Sequence, residues 1–319
     1  MAHSSKINEP DLSNDSTLDY HIPVLLQETI EGLAIKADGV YVDCTFGGGG
    51  HSKEILKKLG PSGKLFVFDQ DIAAKQNLPN DNRVVFIQQN FRHLQKFLRV
   101  NHCLSVDGIL ADLGVSSHQF DEPERGFSIR FDADLDMRMD NRQTVTAERI
   151  LNTYSEHQLH KLFEMYGEVT NAKTLAKTIV LQRSIASIKT INQLKQAVKQ
   201  IVKGNPNKYF AQVFQALRIE VNDEMGALKE MLLQSTGLLN SGGRIAVITF
   251  HSLEDRVVKS FFKQGNFEEE QMADVFGNRT VCDLKLVNKK PIVATNEEVK
   301  RNTRSRSAKL RIAEKKQRQ

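Results

Sequence analysis

Gly39-Val40-Tyr41-Val42-Asp43-Cys44-Thr45-Phe46-Gly47-Gly48-Gly49-Gly50-His51-Ser52 is the stretch that decides the fold. Gly39 to Asp43 reads as a short buried strand, the four glycines as a loop, and Ser52 to Leu59 as a helix. Pro61-Ser62-Gly63 then marks a turn. Beyond it lie three more apolar strands: Lys64 to Asp69, Arg83 to Gln88, and Asp107 to Asp112. Strands alternating with helices require crossover connections, which give a mostly parallel sheet covered on both faces. The fold class is therefore α/β, with a doubly wound sheet.

The rhythm changes downstream. Between about Asp132 and Asn207 only helical patterns appear. Ser155 is placed to cap a helix reaching Tyr166, and Thr170 to Gln182 and Ile191 to Val202 are helical, before Lys203-Gly204-Asn205-Pro206 breaks the run. Phe210, Val213, Phe214, Leu217, Val221, Leu228 and Leu232 continue at helical spacing as one long amphipathic segment. Strand character returns at Gly243 to Phe250. The simplest organisation is a polar, disordered leader over 1–19, a sheet-bearing core over 20–131 and 208–319, and an all-helical insertion over 132–207. Lys309 to Ala313 alternates like an edge strand inside a basic C-terminal tail, 301–319.

Composition sets outer bounds. A chain of 319 residues with 40% apolar residues can bury a large core. Its net charge of +5 permits a polyanionic partner without requiring one. The three cysteines, Cys44, Cys103 and Cys282, form no CxxC pair, which argues against a zinc ribbon or disulfide framework and fits a reducing cytoplasm. No apolar run approaches the ~20 residues that span a membrane. Asp132, Asp134, Asp136 and Asp140 lack the glycine of a calcium loop, so no metal is expected.

The glycine loop matches neither phosphate fingerprint. No Gly-Lys pair follows it, and the dinucleotide pattern G-x-G-x-x-G fails because Ser52 and Lys53 stand where its last glycine should be. A dinucleotide oxidoreductase is accordingly poorly supported. Asp69, about 20 residues beyond the loop, is placed to accept hydrogen bonds from ribose hydroxyls, or else to cap a helix. A ribose without a pyrophosphate motif points to a nucleoside cofactor, of which S-adenosylmethionine is the common one. Phe91 either stacks on the adenine or fills core. Asp112 closes the fourth strand, at the carboxyl edge where active-site groups collect.

These residues, with others, resemble the RsmH (MraW) methyltransferase family. The resemblance is carried by His21 to Leu26, Val42 to Ser52, Asp107 to Ser117, Glu124 to Ser128, Leu135 to Asp140, Phe214 to Ile219, Phe250 to Arg256 and Arg304 to Arg311, in unbroken order. It implies a Rossmann-like class I methyltransferase core with an inserted helical substrate domain. It implies methylation of the exocyclic N4 of a specific cytidine in the decoding centre (P site) of bacterial 16S ribosomal RNA. It also implies cofactor contacts at Gly49, Gly50, His51, Asp69, Phe91, Asp112 and Gln119. The chain departs from the family at Tyr209-Phe210-Ala211-Gln212, where Pro-Ala-Thr-Arg is usual, so one arginine is missing. Asp134 and Thr303 replace prolines, and Ser117-His118-Gln119-Phe120-Asp121 replaces Ser-Pro-Gln-Leu-Asp.

Methyl transfer is an in-line displacement, in which positioning the nucleophile is the enzyme's main contribution. An exocyclic aromatic amine needs an acceptor that withdraws its protons, and Asp112 is the candidate catalytic residue, with cofactor binding alone as its other role. His251 either contacts the target base or caps the helix after it. RNA contacts are expected from Arg125, Arg130, Arg138, Arg142, Arg218, Arg256 and the basic tail. The expected partner is 16S ribosomal RNA within the small subunit, with no membrane, and with a homodimer left open. A methyltransferase of another substrate and a non-catalytic RNA-binding protein on the same fold are the competing readings.

Overall fold

The computed structural model describes residues 23–267 and 282–317. The leader 1–19 and the first residues of the His21 to Leu26 block lie outside the described residues. In chain order the regular elements are α1 (Leu26–Leu33), β1 (Val40–Asp43), α2 (Gly50–Lys58), β2 (Lys64–Phe68), β3 (Val84–Ile87), α3 (Leu94–Val100), β4 (Val106–Asp112) and α4 (Ser117–Asp121). There follow α5 (Ala147–Thr153), α6 (Glu156–Met165), α7 (Ala172–Ile185), α8 (Ile191–Val198), α9 (Pro206–Asn222) and α10 (Glu224–Leu238). The chain then returns to the sheet with β5 (Leu239–Thr249), α11 (Ser252–Gln264), β6 (Leu284–Leu286), β7 (Ile292–Val293), α12 (Asn296–Arg301) and β8 (Lys309–Lys315).

The sheet runs β3-β2-β1-β4-β5-β8-β6, with β7 pairing the remaining part of β8. β3, β2, β1, β4 and β5 are parallel, and β8 returns antiparallel beside β5. From β1 the chain winds outward to β3, then crosses back to β4 and on to β5. The reversal leaves a crevice at the carboxyl ends of β1 and β4, where an open α/β sheet takes its ligand. Both faces are covered, one by Leu98, Leu228, Met231, Phe261 and Phe262, the other by Leu25, Leu33, Ile55 and Leu56. That double burial is why β2 and β4 read as continuous apolar runs.

The helices between β4 and β5 enclose a separate core, from Phe127 and Leu135 through Ile150, Phe163, Ile179 and Leu194 to Val221. Local chemistry sets their starts. Ser155 caps α6 with a capping box closed by Gln158, and Thr190 and Gln193 do the same for α8. Each such cap is worth about 1 kcal/mol.

Two expectations need correction. The long amphipathic segment is two helices, because Asp223 turns left-handed (φ 45°) between α9 and α10. Asp tolerates that conformation, and the turn has a packing cause. Tyr209, Val213, Leu217 and Val221 of α9 belong to the helical core, whereas Leu228, Met231 and Leu232 of α10 cover the sheet. α9 thus packs with the helices, beyond the boundary expected at 207/208. Second, β8 is no edge strand. It is paired on both sides, and Ala308, Leu310, Ile312 and Ala313 are buried.

Candidate cofactor and active site

The crevice is built outward from the glycine loop. Buried Asp43 closes its base, accepting from the Thr45 amide (3.0 Å) and the Ser52 hydroxyl (2.6 Å). Gly47 (φ 49°) and Gly49 (φ 73°) take left-handed conformations that side chains disfavour. Gly50 is small for another reason: a Cβ there would stand 2.1 Å from Pro23 Cγ. Around Gly48 no atom lies within 4 Å of the Cβ position. The four glycines therefore split their work. Two set the turn, one lets α2 pack against Pro23, and one leaves open space.

Asp69 follows β2 and faces the loop. Its Oδ2 accepts from the Gly47 amide (2.8 Å) and its Oδ1 from the Asp71 amide (2.8 Å). Each oxygen keeps a second lone pair for ribose hydroxyls. Burial raises this carboxyl to about 6. Phe91 begins a turn after Asn90 beyond β3, partly exposed against the sheet core.

His51, in the first turn of α2, is held by Nε2 against the Val24 carbonyl at 3.1 Å. Burial lowers its pKa to about 4, so the ring is neutral. An Nε2–H donating to Val24 leaves Nδ1 as a bare acceptor, and Nδ1 lies 3.7 Å from Asp112 Oδ2. Asp112 ends β4, its amide donating to Thr45 Oγ1 (2.7 Å). Its carboxyl is raised well above the usual range by burial, then by Asp43 and Glu254. Oδ1 of Asp112 is buried and has no hydrogen-bond partner among the described residues. A buried acceptor left without a donor costs ~1–3 kcal/mol, so its persistence marks a place for a donor from outside.

Gln119 is buried in α4. Its Oε1 accepts from the Ser116 amide (3.2 Å), and its Nε2 donates to Asp71 Oδ2 (3.0 Å). Asp71 was not among the residues singled out from the sequence, yet it organises this side of the crevice. It also accepts from Arg125 (2.8 Å) and the Ala73 amide (3.0 Å). The Asp69-Gln70-Asp71 spacing was the available signal, since alternate positions after a strand place one acid at the ligand and one beneath it.

Several expected RNA contacts are internal ties. Arg125 binds Asp71, Arg138 binds Asp136 (2.7 Å), Arg142 binds Asp140 (2.8 Å), and Arg218 grips both oxygens of Glu224 (2.8 and 3.0 Å). In the tail, buried Arg311 holds Asp255 (2.6 Å), Lys315 donates to Asp283 (2.8 Å), and Arg304 lies over Phe120 and pairs Asp121 (2.9 Å). The segment from Lys309 is sheet rather than a free tail, so deleting 301–319 removes an interior strand. His251 is a cap: Nδ1 accepts from the Glu254 amide at 3.4 Å, and Nε2 lies 3.2 Å from Glu254 Oε1, out of line for a hydrogen bond. Glu224, His251 and Glu254 could bring three ligand atoms within 4.8 Å of one another. Arg218 already supplies the positive charge there, and a divalent cation would have to displace it.

The electrostatics select the ligand. Asp43, Asp69 and Asp112 converge on one crevice, each raised first by burial and, for Asp69 and Asp112, further by a neighbouring carboxylate. Such a site repels phosphate and attracts a cation. A sulfonium cofactor with an ammonium group and a ribose fits the acids, the open space at Gly48 and the free lone pairs of Asp69.

The comparisons agree. The sequence model of the MraW methylase family matches residues 19–316. A ribosomal RNA small subunit methyltransferase H of Flavobacterium johnsoniae is 56% identical over 301 residues, covering 94% of this chain and 99% of the relative. Proteins of the same name from Parabacteroides distasonis and Bacteroides thetaiotaomicron are 55% and 54% identical, each covered over 97% or more of its length. Among the described residues no helix is long and apolar enough to cross a membrane. With the family match running through the glycine loop, β4 and β8 alike, the chain belongs to the MraW methylase family.

Proposed function

We propose that the chain transfers a methyl group from S-adenosylmethionine to the exocyclic N4 of one cytidine in the decoding centre of 16S ribosomal RNA. The observation that carries this reading is identity above half over nearly the whole length of proteins bearing that small-subunit methyltransferase name. The reaction belongs to the cytoplasm, on rRNA within the small subunit. The helical insertion over 132–207, with α9 packed against it, serves as the substrate-recognition element, and a homodimer is compatible with this role.

When bound, S-adenosylmethionine supplies an electrophilic methyl carbon on a sulfonium centre. Gly49 and Gly50 shape its cradle, Asp69 takes the ribose hydroxyls, and Phe91 lies at the end of β3 where the base would stack. Neutral His51 and Gln119 border the methionine end. The catalytic step falls to Asp112. Its unpartnered Oδ1 accepts a hydrogen bond from an amino proton of the target base, holding the nitrogen lone pair toward the methyl carbon. The raised pKa makes it a competent final acceptor of that proton, once positive charge in the crevice returns it to the carboxylate form. A target base inside folded RNA must leave its stack to reach this depth.

Mapping N4-methylated cytidines in 16S rRNA from cells with and without the gene tests the reading. One cytidine should lose its methyl group on deletion. Labelled methyl transfer to small subunits, naked rRNA and a protein extract separates it from its rivals. Labelling of protein alone would overturn it.

A further inference from the structure

From Val169 to Ile219 the chain holds nine basic residues and no Asp or Glu, although acids make up 39 of its 319 residues. The fold gathers part of this stretch on one surface. Lys173 and Lys177 lie one helical turn apart on α7, Lys199 follows α8, and Lys203 and Lys208 flank the start of α9. Asn171, just before α7, donates its side-chain amide to the Ile201 carbonyl (2.9 Å), clamping the start of α7 to the turn after α8. Asn205 caps α9 through the Asn207 and Lys208 amides, which fixes the last lysine beside that turn.

All five lysines are exposed. Among the described residues, lysine ion pairs occur at Lys36, Lys57, Lys161, Lys309 and Lys315, and none of the five takes part in one. The acids nearest in sequence are engaged elsewhere. Glu164 meets Lys161 (3.4 Å), and Glu168 accepts from the Ser252 hydroxyl (3.1 Å) and faces Arg256 (3.9 Å). This is the reverse of the arginines discussed above, whose charge is neutralised inside the chain.

The surface also leads to the crevice. Gln212, one turn beyond Lys208 on α9, donates to the Glu168 carbonyl (3.2 Å). The Glu168 carboxylate in turn holds Ser252, the first residue of α11 after β5. From Lys208 to Gln212 the helix advances only ~6 Å at 1.5 Å per residue. Lys208 is thereby tied through Gln212 and Glu168 to the start of α11, which follows β5, and the Asn171–Ile201 clamp groups the start of α7 with the turn after α8.

Resting on the ribosomal RNA reading above, we propose that Lys173, Lys177, Lys199, Lys203 and Lys208 form the docking surface for the phosphate backbone flanking the target nucleotide. Lysine suits such a surface, because a hydrated point charge on a flexible stem neutralises phosphates without dictating base identity.

The test compares the full chain with a variant carrying K173Q, K177Q, K199Q, K203Q and K208Q, and with the five Lys→Arg changes. Gln keeps helix propensity, so the fold should hold, and unchanged S-adenosylmethionine affinity verifies it. Binding of transcribed 16S rRNA is titrated against KCl. Each lost phosphate contact should lower the slope of log affinity on log salt by ~0.7–0.9. The expected result is at least a thirtyfold loss near ~150 mM salt, with the slope reduced by about three or more. The Arg variant should bind like the parent. A Gln variant matching the parent in affinity and slope overturns the docking surface while leaving the RNA reading intact. Failure of the parent chain itself to bind rRNA would overturn that reading first.

Discussion

Arg125 Nη1 stands 2.8 Å from Asp71 Oδ2, both side chains mostly buried, and that one ion pair joins the cofactor crevice to the segment leading into the helices. Asp71 lies two residues beyond Asp69 and donates its amide to it. The other Arg125 nitrogen, Nη2, donates to the Arg138 carbonyl (3.0 Å). Asp71 therefore orients Asp69 from one side while answering to the helical region on the other. Asp71→Asn should weaken cofactor affinity about tenfold and lower stability by about 3 kcal/mol, the usual result of orphaning one partner of a buried pair. A double-mutant cycle with Arg125→Met should return a coupling of ~1–3 kcal/mol in unfolding titrations. Additive losses would show that the two residues act independently.

Asp112→Asn preserves shape and removes the proton acceptor. Turnover at saturating cofactor and RNA should fall by at least ~100-fold, in the range general base catalysis supplies. The cofactor dissociation constant, read by calorimetry, should change by less than about threefold. Matched losses in both would confine Asp112 to cofactor binding.

The glycine loop separates packing from binding. Gly50→Ala drives a methyl group against Pro23, overpacking that typically costs ~1–3 kcal/mol, and should appear as a lower melting temperature. Gly48→Ala meets nothing in the free chain, so its melting temperature should match the parent. Its cofactor affinity should drop about tenfold or more, because the new methyl group enters the space where the ligand's backbone contacts belong. Equal affinity would place the cofactor elsewhere.

Cofactor binding should depend on pH through Asp69. Its carboxyl titrates at about 6 in the free chain, raised by burial. Ribose hydroxyls donate only to acceptors, and a cationic ligand favours the carboxylate, so binding lowers this pKa. The Asp69 contribution to affinity should accordingly be complete above about pH 7 and fall as pH drops through about 6, approaching roughly tenfold per pH unit. His51, held down near 4 by burial, stays neutral across this window. In Asp69→Asn the step near pH 6 should vanish along with most of the affinity. A profile that is unchanged in this variant would assign the titration to another group.

Much of the local order was legible without coordinates. Caps and breaks are written in neighbouring residues: Ser155 starts α6, Lys203 to Pro206 break the chain before α9, and the apolar runs of β2 and β4 announce strands buried on both faces. The failure of both phosphate fingerprints at Gly47 to Gly50 was also readable, since those motifs depend on spacing along the chain.

What the sequence could not determine is which charges remain free. Arg125, Arg138, Arg218 and Arg311 look like RNA contacts in one dimension, and each is neutralised by an acid in the folded chain. Only the fold brings Asp255 of α11 to Arg311 of β8, or leaves Asp112 Oδ1 at the end of β4 without a donor among the described residues. Likewise, Asp223 breaks the amphipathic run because α9 and α10 serve different cores. Local propensities act over a few residues and survive in sequence. Ion pairing, desolvation and core membership act between residues far apart along the chain, and the tertiary structure alone decides them.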